Sequence, residues 1–319
     1  MIKYSLLKCS DDFLNIHRVV QEVARKNCAI NKKWLGYCLI LIYEVVDCGK
    51  GDKASIDKII IEFPHIIAIA EKLTGFFTDQ KTLKKIGHIF NSISIIHGQL
   101  GEFEKALEYS KRALTIHEKV YGENRPHTDL PCDHIGLFYN LLGEYDQALE
   151  YHNRALEICE KTYGKKHPET ALNYNNIGAV YANLYRQMKS SEYYNTALKY
   201  YNRALRIYEQ INGNGNYLGM MALVRNNIGV TYYDFGESMQ ALKYHKRALE
   251  IREKIYGCHP ETASSCYNVG VAYSNLRNRN KTLEYLQRAL KIYEQIYGEN
   301  YQNAPLPEKN LIEPEFRKN

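Results

Sequence analysis

His127 and His134 stand seven residues apart, a spacing that on one helix puts two imidazoles on one face, where they could hold a metal ion or simply pack. The metal reading lacks its remaining parts. A metal site needs further ligands at short spacing, and the eight cysteines, at 9, 28, 38, 48, 132, 159, 258 and 266, contain no Cys-x-x-Cys pair. There is no His-Glu-x-x-His, and no Gly-x-Ser-x-Gly elbow to present a nucleophilic serine. No Gly-x-x-x-x-Gly-Lys-Ser/Thr loop exists to cradle a phosphate, and the nearest string, "CGKGDKAS" at Cys48, lacks the spacing. The expected sets of catalytic residues, cofactors and metals are therefore empty, and the chain is not expected to be an enzyme.

What remains is recognition by amides. An asparagine both donates and accepts, so a row of them can grip the main chain of an extended peptide. A row needs a repeating scaffold to position it, and the sequence carries one. Arg-Ala-Leu recurs from Arg112, Arg154, Arg203, Arg247 and Arg288, at spacings of 42, 49, 44 and 41. Tyr-Gly recurs at Tyr121, Tyr163, Tyr256 and Tyr297, and His-Pro-Glu-Thr at His167 and His259. Each copy reads as two helices joined by a short turn: one to about Leu142, a turn at Gly143 and Glu144, and a second to Tyr163, after which Gly164 suits a residue just past a helix end. Pro168 and Pro260 then open the next helix where no donor is lost.

Glycine in a helix interior costs about 1 kcal/mol relative to alanine, so a recurrent one must make room for something. Ser94, Gly136, Gly178, Gly229 and Gly270 fall in register, each preceded by Ile or Val and, except in the first copy, followed three residues on by Tyr. Ala106, Ala148, Ala197, Ala241 and Thr282 form a second small register in the partner helices, with Tyr109, Tyr151, Tyr200, Tyr244 and Tyr285 three residues beyond. Small residues facing each other are expected to bring two backbones close, with the tyrosines as core.

Composition narrows the partners. The chain has 45% hydrophobic and 24% charged residues, and its net charge of +6 is mild and interspersed, so no nucleic-acid partner is indicated. The longest apolar run, Leu35 to Val46, has twelve residues with Glu44 inside it, whereas about twenty are needed to span a bilayer, so no membrane insertion is expected. The start, "MIKYSLLKCSDDF", lacks the apolar region of a signal peptide, and the cysteines scatter among apolar positions as reduced thiols do. A cytoplasmic location follows as the expectation.

The pattern "HPETA...NNIGxxY...ALxYxxRALxIxExxYG" resembles tetratricopeptide repeats of the 42-residue kinesin-light-chain type, over about residues 82–299 in five copies. The resemblance implies an all-α fold, a right-handed α-solenoid of helical hairpins, and a concave groove in which asparagines bind peptide segments. The third copy departs by seven extra residues around "RQMKSSEY", which lengthen its hairpin or make a bulge; the fourth has "INGNGNYLG" in place of Tyr-Gly and His-Pro.

By the i, i+4, i+7 rule, residues three before, one after and four after the notch share the face away from the packing. These are Asn91, Ile95 and Gly98; Asp133, Leu137 and Asn140; Asn175, Ala179 and Ala182; Asn226, Val230 and Tyr233; and Tyr267, Val271 and Ser274, with Asn183, Asp234 and Asn275 completing the expected peptide groove. Asn175 and Asn226 are expected to hold the peptide backbone, so that replacing both would leave stability nearly unchanged. Some tetratricopeptide domains clamp a C-terminal carboxylate with cations, but the positions after the notch are Ile95, Leu137, Ala179, Val230 and Val271. An internal segment is the ligand this implies.

The first eighty residues read differently. "YSLLKCSDDFLNIHRVVQEVAR" suggests strand, turn, strand and a helix from about His17, and resembles the end of the winged-helix segment of NB-ARC-type signalling NTPases, with Ile16, His17 and Arg18 at their Met-His-Asp-like motif. In that family the histidine contacts bound ADP. "FPHIIAIAEKL" from Phe63 resembles the helical linker before the repeats. The expected domains are a winged-helix-like remnant, 1–28; a helical linker hairpin, 29–81; five repeats, 82–299; and a disordered tail, 300–319, rich in proline and polar residues. Two functions stay open: a non-enzymatic scaffold that binds a protein or peptide in its groove, or the sensor module of an NB-ARC-type NTPase whose nucleotide-binding part lies on another or missing polypeptide.

Overall fold

The computed structural model describes residues 79–213 and 215–298; the expected winged-helix-like segment, nearly all of the linker hairpin and the tail lie outside them. Among the described residues every regular element is helical, and there are ten: α1 (Gln80–Gln99), α2 (Phe103–Tyr121), α3 (Asp129–Leu142), α4 (Tyr145–Thr162), α5 (Pro168–Met188), α6 (Ser191–Ile211), α7 (Leu218–Phe235), α8 (Ser238–Tyr256), α9 (Pro260–Asn275) and α10 (Arg279–Tyr297). They pair in order as the five helical hairpins expected. The chain divides into two compact units, Met1–Ile158 and Cys159–Asn319. No helix of the described residues is long and apolar enough to cross a membrane.

Local chemistry sets the helix starts. The carboxylate of Asp79 accepts from the Thr82 N–H at 2.9 Å, so α1 begins two residues before the expected boundary. At α5 and α9 the cap is a histidine: Nδ1 of His167 accepts from Glu169 N–H at 3.3 Å and Nδ1 of His259 from Glu261 N–H at 3.2 Å, with proline opening each helix. The same imidazoles lie against Tyr163 and Tyr256, at 4.5 and 5.0 Å between centroids. The Tyr-Gly and His-Pro-Glu-Thr strings are thus one junction. Its glycine is required, since Gly122 and Gly257 combine positive φ with ψ of 161° and −120°, a region that side chains exclude.

The notch works differently from the expectation. A Cβ on Gly136 would lie 2.8 Å from the His152 ring, on Gly178 2.9 Å from Tyr201, on Gly229 2.7 Å from His245, and on Gly270 3.0 Å from Leu286. Each of these side chains sits four residues past the small residue of its second helix, so the glycine faces a large group and not another small one. The first copy carries Ser94 and Ser110 at these registers, both fully buried.

The recurrent tyrosines pair across each hairpin. Tyr139 meets Tyr151, Tyr181 meets Tyr200, Tyr232 meets Tyr244 and Tyr273 meets Tyr285, at 5.5 to 5.8 Å between centroids. In the first copy, where the tyrosine is missing, His97 stacks on Tyr109 at 5.4 Å. Such pairs add about 0.5 to 1.5 kcal/mol each beyond the area they bury.

The arginine of Arg-Ala-Leu has its own role. Arg154 bonds Glu118, Arg288 bonds Glu253, and Arg203 lies 3.6 Å from Glu160; each glutamate is six residues past the arginine of the preceding copy. At the atypical joint before α7 the pattern changes, and Arg225 takes Glu209 at 2.9 Å. Of the two readings of the insertion, the structure has the longer hairpin. α5 runs ten residues past Gly178 where α7 runs six past Gly229, and α6 begins six residues before Ala197 where α8 begins three before Ala241.

Candidate functional site

The first helices carry the expected groove residues, and packing sorts them into two groups. Leu137 and Asn275 are exposed, and Asp133, Asn140, Ala179, Asn183, Asn226, Val230, Tyr233, Asp234 and Val271 are half-buried. Asn91 and Asn175 are buried, which corrects the expectation that both face a ligand. Tyr267 is buried too, packed in a core cluster with Leu242, Leu249 and Cys266, because its ring is too apolar to be left at the surface beside them. Gly98 and Ala182 also turn inward: a Cβ on Gly98 would lie 2.6 Å from Phe138, and Ala182 is buried.

Side-chain amides, buried at Asn91 and Asn175 and half-buried elsewhere, form a ladder between neighbouring copies. Asn227 Nδ2 donates to Asn175 Oδ1 at 3.0 Å, and Asn268 Nδ2 to Asn226 Oδ1 at 2.9 Å. In the other unit His134 Nδ1 donates to Asn91 Oδ1 at 2.9 Å. In these three bonds the residue two before one notch donates to the residue three before the previous notch. Asn175 also donates to Asn176 Oδ1 at 3.2 Å. The recurrence of asparagine in the sequence therefore records a bond between repeats, and the donors at 227 and 268 were legible only as neighbours of the row.

Asn226 keeps chemistry in hand. Its Oδ1 takes Asn268 Nδ2 and the Nδ1–H of His245, the latter at 3.2 Å, while its Nδ2 has no acceptor among the described residues. Burial pushes His245 down to about 4, with Arg252 adding to the effect, so the ring is neutral at pH 7. The equivalent ring in the second copy, His152, donates to Asp133 Oδ1 at 2.9 Å. Arg186, inside the inserted stretch and not anticipated, joins two groove residues: its Nε donates to Asp234 Oδ2 at 2.7 Å and its Nη1 to Asn183 Oδ1 at 2.7 Å.

The two histidines of the metal hypothesis are used separately. His127 precedes α3 with φ of 76°, its carbonyl accepting from His117 Nδ1 at 2.7 Å, while His134 serves Asn91. Among the described residues no three His, Cys, Asp or Glu are placed to hold a metal ion. Burial raises the thiols of Cys132 to about 12 and Cys266 to about 11, which leaves them protonated at neutral pH.

The ladder reverses one expectation. Asn175→Ala should leave the half-buried Nδ2 of Asn227 without its acceptor, costing about 1 kcal/mol. Thermal unfolding should then move down by roughly 2 to 4 °C per kcal/mol for an array of this length. An unmoved transition would show that the ladder contributes nothing.

Comparison with known proteins agrees with the fold of helical hairpins. Residues 133–210 and 220–295 match a family model described as tetratricopeptide repeat, and residues 87–127 match a second model of the same description. A search of curated proteins finds no match. Among solved structures, BtubC (BKLC) from P. vanneervenii aligns with a TM-score of 0.59 at 22% identity, covering 80% of this chain and 96% of that one. A Rap protein complexed with competence and sporulation factor aligns at 0.62 and 16%, covering 96% and 84%. The kinesin-light-chain nearly identical TPR-like repeats of Podosopora anserina align at 0.52 and 15%, covering 68% and 99%. At these identities the likeness concerns the fold.

Proposed function

Because this chain belongs to the tetratricopeptide-repeat family, we propose that it is a non-enzymatic interaction scaffold whose first helices receive an internal, extended segment of a partner protein. The observation that carries the reading lies in the unit Cys159–Asn319. Ala179, Val230 and Val271 stand at one register, half-buried, and Asn226 beside them holds two N–H donors without an acceptor among the described residues. A ligand's carbonyl can accept from Asn226 Nδ2, and its N–H groups can donate to the amide oxygens of Asn227 and Asn268, whose Nδ2 groups are engaged in the ladder. Apolar ligand side chains then rest on the valines and on Tyr233. The Rap protein complexed with a factor shows that this fold accommodates a bound partner in one instance.

The test uses the full chain to capture a partner, followed by titration calorimetry with Val230→Arg and Tyr233→Ala. Each should weaken binding tenfold or more, about 1.4 kcal/mol, with the unfolding transition kept within a few degrees. Parental affinity in both variants would move the binding surface elsewhere. Loss of binding on amidating the partner's C-terminus would replace the internal segment with a carboxylate ligand.

A further inference from the structure

The fourth copy places a cation where its neighbours hold a neutral group. Four residues before the notch stand Cys132, Tyr174 and Cys266 in the second, third and fifth copies, all neutral at pH 7 because burial raises each of them, and Arg225 in the fourth. A neutral group leaves room for the arginine of Arg-Ala-Leu on the helix that follows. In the third copy Arg203 lies over the Tyr174 ring, 4.1 Å from its centroid, and reaches toward Glu160. One guanidinium cannot settle on another in this way.

Arg225 instead takes Glu209, which lies six residues past Arg203 and is therefore the carboxylate that register assigns to Arg247. Arg247 is left exposed, and it forms no hydrogen bond or ion pair among the described residues. The two arginines are close enough to repel: burial lowers the pKa of Arg225 first, and Arg247 lowers it further against the pull of Glu209 and Tyr244. Arg225 Nη1 is buried and finds no acceptor among the described residues. Arg206, three residues before Glu209 on α6, is exposed and equally without a partner among them. Even when Glu250, three residues past Arg247, is set beside Glu209, the three arginines keep an excess of positive charge.

We propose that Arg247 and Arg206 are a docking point for an acidic segment of a partner protein, on the second helices and so apart from the groove of the first helices. The free fork of Arg247 donates to a partner's carboxylate, doing for that partner what its counterparts Arg154, Arg203 and Arg288 do for a neighbouring copy. Arg225, anchored on Glu209 and mostly buried, adds its field without competing for the ligand. Glu209 and Glu250 interleave with the cations, which suits separate arginine–carboxylate pairs and would repel the continuous phosphate row of a nucleic acid.

Nuclear magnetic resonance on the full chain tests this, with a capped tetraglutamate peptide at low salt as the probe. The Nε–Hε signal of Arg247 should move on titration, and a capped tetraglutamine peptide should leave it in place. Arg247→Gln, an exposed change, should weaken the affinity for tetraglutamate, read from the Arg206 signal, by about threefold or more. Arg225→Tyr gives the fourth copy the tyrosine of the third, so Arg247 should settle on Glu209 and the affinity should fall by a similar factor. An unmoved Arg247 signal in the parent would overturn the proposal, as would an Arg247→Gln chain that binds tetraglutamate as the parent does. Tighter binding of a thymidine tetranucleotide than of tetraglutamate would overturn it too, by giving the site to phosphate.

Discussion

Taking this protein from pH 7 to pH 4 should remove on the order of 3 kcal/mol of stability for each of two buried histidines. Burial pushes His245 down to about 4, with Arg252 adding to it; burial likewise pushes His117 down to about 4, with the neighbouring His88 and His127 lowering it and the His127 carbonyl and Asp129 acting the other way. Both rings are nearly inaccessible to solvent. In the unfolded chain each titrates near 6.5, so below that pH the unfolded state binds the proton and the folded state does not. Stability therefore falls steadily from about pH 6.5 to about pH 4, where the folded rings protonate as well. Urea unfolding followed by circular dichroism at half-unit pH steps would give the slope. Tyrosine already occupies the His245 register in the third copy, at Tyr201, so His245→Tyr should fold and should lose about half of the pH dependence. A urea midpoint indifferent to pH across this window would refute the assignment.

Filling a notch should be comparably damaging. A leucine at Gly178 would drive its branch into Tyr201, which is 2% exposed, and overpacking of this kind costs about 1 to 3 kcal/mol. Gly178→Ala is the finer measurement. Helix propensity alone would make that variant more stable by about 1 kcal/mol, so any net loss isolates the 2.9 Å contact. An alanine variant more stable than the parent would mean that the ring gives way and the glycine is there for another reason.

The hairpins and their boundaries were legible because periodicity, caps and junction residues all act within one copy. The partners of those residues were not, because they depend on depth in the packing. Glycine at 136, 178, 229 and 270 announced close approach without saying that rings and a leucine fill the space. The asparagine row looked like a grip on a ligand because sequence shows position around a helix and not which neighbour arrives there. Burial turned Asn91 and Asn175 into links between copies, while Asn226, half-buried, kept donors to offer. Tyr267 falls in the same register as those asparagines yet belongs to the core, since register fixes direction and the residue type decides how deep it lies. Arg186 could not be placed at all, as it sits in the stretch that departs from the pattern.

The ladder also constrains how such a chain can change in length. The fourth copy carries both halves of the joint one residue apart in its first helix, a donor for the copy before in Asn227 and an acceptor for the copy after in Asn226. A second fourth copy inserted beside the first would meet it with these groups matched, whereas a cut inside the copy would leave one of the two amides without its partner. The joint is thus portable as a unit, and point changes at its paired positions are not.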